Sequence, residues 1–125
     1  MCLTCLNNEL NSIEDYNREI REVISTINCE CCKSFPNFLL GVNEDLKVLT
    51  LTKIKKRKIV CPDLVEKIEG FEGMVEARIN HKLNSVLEQV DDASHELSDG
   101  LYLTRMNELK DINDMLTSIK EADHR

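Results

Sequence analysis

Apolar residues recur along most of this chain at the three- and four-residue steps of α-helices. The longest such pattern is Leu64, Ile68, Phe71, Val75, Ile79, Leu83, Val86, Val90, Ala93 and Leu97. It predicts a helix over 63–97, opened by Cys61-Pro62-Asp63, because proline suits a first helical position and an acidic first turn suits the helix dipole. At about 1.5 Å per residue the stripe would run roughly 50 Å, so it needs partners along its length, from this chain or from another. Gly70 and Gly73 weaken its first turns, and either admit a close backbone or mark a bend.

A second seam, Leu3, Leu6, Leu10, Ile13, Asn17, Ile20, Ile24 and Ile27, predicts a helix over 3–27. Its one polar member, Asn17, either fixes register from an interior position or marks where the seam meets solvent. Tyr16 and Val23 widen this face toward a bundle rather than a two-stranded coil. The third pattern, Tyr102, Met106, Leu109, Ile112, Leu116 and Ile119, predicts a helix over 101–120. Ser98-Asp99-Gly100 favours a break before it. An eleven-residue recurrence at Ile79, Val90, Leu101 and Ile112 is the argument for one unbroken helix. Residues after 120 are expected to fray.

Residues 28–61 lack that rhythm. Pro36 disfavours helix just before it and Gly41 offers a stop, so 28–43 reads as a connector anchored by Phe35, Phe38, Leu39 and Leu40. Beyond it, Val48, Thr50, Thr52, Ile54, Ile59 and Val60 are β-branched, and the first four alternate with Lys47, Leu49, Leu51 and Lys53. They suggest a small hairpin within 46–60, with Lys55, Lys56, Arg57 and Lys58 near its tip. The expectation is one mainly all-α domain spanning 1–125, its long amphipathic helices forming a coiled coil or a helical bundle.

Composition narrows this picture. Aromatic residues make up 4% and tryptophan is absent, so the core is aliphatic; only four glycines and two prolines leave little for a turn-rich β fold. No apolar run reaches the eighteen or so residues of a membrane span. The first residues lack a secretory leader, which predicts an intracellular protein.

The net charge of −7 is uneven. Residues 33–60 hold seven basic and two acidic groups, so +5, whereas 61–125 hold seven basic and fifteen acidic, so −8. The run Lys55–Lys58 fits either a nuclear import signal or phosphate contacts. It equally fits a solvated edge kept from aggregating by lysines. An acidic body makes general nucleic-acid binding the less favoured of these.

Six cysteines are many for an intracellular chain of 125 residues. Cys2/Cys5 and Cys29/Cys32 resemble halves of a zinc site, but a helix between them would hold them roughly 33 Å apart. Cys29, Cys31, Cys32 and Cys61 form the more local candidate zinc set. Reduced thiols are the other reading. No catalytic set of serine, histidine and acid can be assembled, and no glycine-rich phosphate loop is present, so no enzyme is expected.

The function expected is helical oligomerisation or adaptor work, with a homodimer or a helical protein as partner. The seam residues expected to carry it are Leu10, Ile13, Asn17, Ile20, Ile24, Ile79, Leu83, Val86, Val90, Leu97, Leu109, Ile112 and Leu116. The alternative is a small zinc-stabilised, nucleic-acid-associated protein that uses the basic run.

Overall fold

The computed structural model describes residues 3–28, 30–92 and 99–124, with side chains for 3–28, 33–90 and 100–123. Four helices account for nearly all of them: α1 (Leu3–Thr26), α2 (Glu30–Lys56), α3 (Pro62–Asp92) and α4 (Asp99–His124). They pack as a helical bundle in which α1 lies on α2, α2 on α3, α3 on α4 and α4 back on α1. Direction follows from paired positions. Arg21 meets Glu44 while Glu14 meets Lys47, so α1 and α2 are antiparallel. Asp45 meets Lys82 while Lys53 meets Glu72, so α2 and α3 are antiparallel too. Across the diagonal, Phe35 meets Arg105 and Lys53 meets Asp123, so α2 and α4 run parallel. The chain therefore goes up, down, up and down, the arrangement that short connections impose on consecutive helices.

Helix α1 closely follows its predicted seam. Leu6, Ile13, Asn17 and Ile20 are buried, and Leu10, Tyr16 and Ile24 pack beside them. Asn17 is therefore an interior residue, not the solvent edge of the seam. In α4, Leu109, Ile112, Leu116, Ile119 and Ala122 are buried. This helix starts at Asp99 and continues to His124, so 121–124 do not fray. α3 and α4 are two separate antiparallel helices, which rules out one unbroken helix. α3 is described to Asp92; Ala93 and Leu97 lie outside the described residues.

The largest correction concerns 28–61. Neither a long connector nor a hairpin within 46–60 forms, because α2 occupies Glu30–Lys56. Its inward positions Leu39, Val42, Leu46, Leu49 and Lys53 step 3, 4, 3 and 4, with Asn43 and Thr50 buried beside them. Burying this face outweighs the β-branched preference, which depends strongly on context. The threonines adapt: Thr50 donates its hydroxyl to the Leu46 carbonyl at 2.8 Å and Thr52 to that of Val48 at 2.7 Å. Pro36 sits inside the helix, where it costs one backbone hydrogen bond. Its neighbours repay that loss, since Phe35 and Phe38 stack at 6.3 Å and pack with Leu39 into the core. Gly41 does not stop the helix, because no glycine takes a positive φ among the described residues.

The turn after α2 is closed by Lys58 N–H to Lys55 O (3.0 Å) and Ile59 N–H to Lys56 O (3.2 Å). Cys61 then accepts the first bond of α3 from Val65 N–H at 3.0 Å, with Pro62 at the first helical position as expected.

Candidate functional site

Three places on the bundle concentrate chemistry. One is a charged knot where α2 and α4 end beside the early part of α3. The Lys53 ammonium donates to Glu72 Oε2 at 2.9 Å and Asp123 Oδ2 at 3.2 Å, and lies 3.5 Å from Glu76. Lys56 lies 3.0 Å from the second Glu72 oxygen, off hydrogen-bonding geometry. Arg57 donates to Asp123 Oδ1 at 3.2 Å, to the Asp123 carbonyl at 2.6 Å and to that of Ala122 at 3.4 Å. Arg57 thus neutralises and caps the end of α4, where carbonyls lack helical partners and the dipole is negative.

The side chains of Lys53 and Glu72 are only 5% and 8% exposed, so this pair is shielded from the screening that weakens surface ion pairs. Burial alone would push the Lys53 ammonium toward neutrality, but hydrogen bonding and charge from Glu72, aided by Asp123, hold its pKa above the ordinary value. Burial likewise opposes the Asp123 carboxylate, yet Lys53, Lys56 and Arg57 keep its pKa below the ordinary value. The knot therefore stabilises the fold between these limits. Asp123's share is present above its unfolded pKa and lost as pH falls through the lower folded one. Lys53's share is complete below its unfolded pKa and lost as pH rises through the higher folded one.

This arrangement divides the basic run. Lys55 and Lys58 are exposed, but Lys56 and Arg57 are held within the knot. A patch of four free cations at 55–58 does not exist. Lys53, outside the run as read from sequence, is the most deeply buried cation among the described residues.

The second place is a groove of about 310 Å³ between α1, α2 and α4, lined by Tyr16, Glu19, Ile20, Pro36, Glu108 and Asp111. Burial is the main reason the Tyr16 hydroxyl is pushed up to about 12, with Glu108, Asp111 and Glu19 adding to it. Burial also raises Glu108, against Arg105 and with Asp111.

The third place is the outer face of α3. Leu64, Lys67, Phe71, Met74, Arg78 and His81 step 3, 4, 3, 4 and 3, and all six are exposed. The apolar members stand out: Leu64 is 50%, Phe71 45% and Met74 72% exposed. Arg78 reaches α2 through Asp45 at 3.2 Å and Lys82 reaches the same carboxylate at 2.7 Å, which places this face beside α2. Behind it runs an inner seam, Ile68, Glu72, Val75, Ile79, Leu83, Val86 and Val90, that faces the bundle. Compared with known proteins, the chain matches no family model, no curated sequence and no solved structure. Functional argument therefore rests on these surfaces alone.

The expected interaction seam mostly serves the chain's own core. Ile13, Asn17, Ile20, Ile79, Leu83, Val90, Leu109, Ile112 and Leu116 are buried within one chain, and Leu10, Ile24 and Val86 pack against them. Leu97 lies outside the described residues. The single stripe read from 64 to 97 in fact splits: Ile68, Val75 and Ile79 turn inward while Leu64 and Phe71 turn out. The cationic half of the outer seam was missed because lysine, arginine and histidine add nothing to an apolar pattern.

Of the cysteines proposed for zinc, Cys29, Cys31 and Cys32 have side chains outside those described, and Cys61 is exposed and not disulfide-bonded. Cys5 departs from the expectation of reduced thiols, because it is disulfide-bonded; sequence spacing carries no information about which thiols a bundle brings together. Among the described residues no helix is long and apolar enough to cross a membrane.

Proposed function

We propose that this chain is a helical interaction module, a bundle that closes its own core and offers the outer seam of α3 for docking to another helix. The observation that carries this reading is the exposure of Leu64, Phe71 and Met74 at heptad-like spacing in one row of α3, whereas the exposed apolar residues of the other helices, such as Val23, Val48, Leu51 and Leu103, stand singly or in pairs. Three large apolar side chains in one row match the anchors with which helix-binding surfaces take up a partner. Burying them would contribute at about 25 cal/mol per Å² of apolar area. The reading narrows the sequence-based expectation of oligomerisation or adaptor work to one face, and it removes Leu83 and Val90 from the partner contact.

The test uses nuclear magnetic resonance on the full chain. A panel of helical peptides would share leucine at heptad anchor positions and differ only in flanking charge. Shifts confined to residues 64–81 with at least one peptide are the expected result. A panel that leaves those resonances unmoved throughout refutes the reading.

A further inference from the structure

We infer that the outer seam of α3 selects an acidic amphipathic helix from a different protein, and not a second copy of this chain; the inference rests on the docking role proposed above. Two of the six seam positions are cationic: Lys67 and Arg78 stand on either side of Phe71 and Met74, with Leu64 and His81 at the two ends of the row. Lys67 lies four residues before Phe71 and Arg78 four residues after Met74, so these cations bracket the two central anchors on one face. Arg78 pairs with Asp45 but keeps 52% of its side chain exposed, which leaves its guanidinium able to meet a second carboxylate. A helix placing carboxylates on either side of two apolar anchors would satisfy both cations at once.

Symmetry argues against self-pairing. In an isologous contact a residue i that meets j is matched by j meeting i. An antiparallel two-fold centred between Phe71 and Met74 sets Lys67 of one copy against Arg78 of the other, twice over. A parallel two-fold sets Lys67 on Lys67 and Arg78 on Arg78. Either register brings like charges together beside the anchors, where such juxtaposition is costly. An anionic bilayer would also attract this seam, but a chain of net charge −7 is repelled from it as a whole. A single helix meets less of that charge than a bilayer does, the nearest carboxylate along this face of α3 being Asp63, four residues before Lys67.

Two probes test this: helical peptides with identical leucine anchors, one flanked by glutamates and one by lysines, titrated against the full chain by fluorescence anisotropy. Vesicles of phosphatidylserine and phosphatidylcholine form a third arm. The expected result is that the glutamate peptide binds at least tenfold more tightly than the lysine peptide. Lys67→Glu/Arg78→Glu should reverse that order. Both cations are exposed, but a glutamate at 78 faces Asp45, so the double variant should stay helical while melting somewhat lower, and circular dichroism checks this. Should the variant unfold, Lys67→Gln alone serves instead, and it should cut the preference severalfold. Equal affinity for the two peptides overturns the acidic partner while leaving the docking role standing; failure of both peptides to bind overturns the docking role itself. Vesicle binding that outcompetes the glutamate peptide, or a dimer of the full chain that Met74→Asp dissociates, overturns the choice of occupant.

Discussion

The inner and outer seams of α3 are built from the same three- and four-residue steps on a single helix, yet α2 and α4 seal one and leave the other open. The inner seam is aliphatic except at Glu72, and that carboxylate is met by two lysines. The outer seam mixes apolar with basic residues, and its largest apolar groups lie in water. Helical periodicity identifies a stripe but does not say who covers it. What separates the two seams is the chemistry of their polar members. A buried seam tolerates charge only when the same fold supplies the counter-charge, whereas the exposed seam keeps its charges at least partly in water, Arg78 being half exposed even where it meets Asp45.

Substitutions can break this contrast, beginning with the strongest. Ile79→Asp places an unpaired carboxylate in the fully buried inner seam and should cost several kcal/mol. Circular dichroism should show helix content and melting temperature falling together, with no change in assembly state needed to explain it. Lys53→Met strands Glu72 in a buried site with only Lys56 beside it, for a loss of about 3 kcal/mol in urea unfolding. Adding Glu72→Met should restore much of that loss, since an apolar pair of similar volume commonly matches a buried ion pair.

Smaller effects sharpen the comparison. Melting temperature should drop in acid as the Asp123 carboxylate protonates, and an Asp123→Asn variant should show a shallower acid limb. Gly70→Ala and Gly73→Ala should each stabilise by up to about 1 kcal/mol, because a Cβ at either position meets nothing within 4 Å. That open space also removes the expectation that these glycines admit another backbone within this chain. Met74→Asp should move stability by less than about 0.5 kcal/mol, as an exposed substitution does. If Met74→Asp proved as damaging as Ile79→Asp, the two seams would not differ in the way described.

Three of the four helices were legible in the sequence because their inward faces are continuous: Leu6 to Ile24 in α1, Val75 to Val90 in α3 and Leu109 to Ile119 in α4. α2 was not legible, since three of its inward positions are Asn43, Thr50 and Lys53, which break an apolar pattern while still lying in the core. Pro36 and the β-branched run added local signals for other structures, and tertiary burial overrode them. The charged knot was hidden for a related reason. Within Lys53-Ile54-Lys55-Lys56-Arg57-Lys58 the cations look alike, and only the positions of Glu72 and Asp123 in space tell a buried one from a solvated one. Asn17 could be read as interior or peripheral until its burial decided the matter.

The charged knot also bears on how the chain acquires its structure. Lys53 and Asp123 are separated by 70 positions, so their contact closes a long loop, and such contacts form late because the loop entropy is spent before the contact rewards it. During synthesis α1, α2 and most of α3 emerge before Asp123 exists. In that interval Lys53 can reach Glu72, but Arg57 has no α4 carbonyls to hold. Until α4 is in place, Arg57 therefore lacks the carbonyl and carboxylate oxygens that it holds in the finished bundle. Completion of α4 turns that end of the bundle into a latch, in which one helical turn secures residues made some seventy positions earlier.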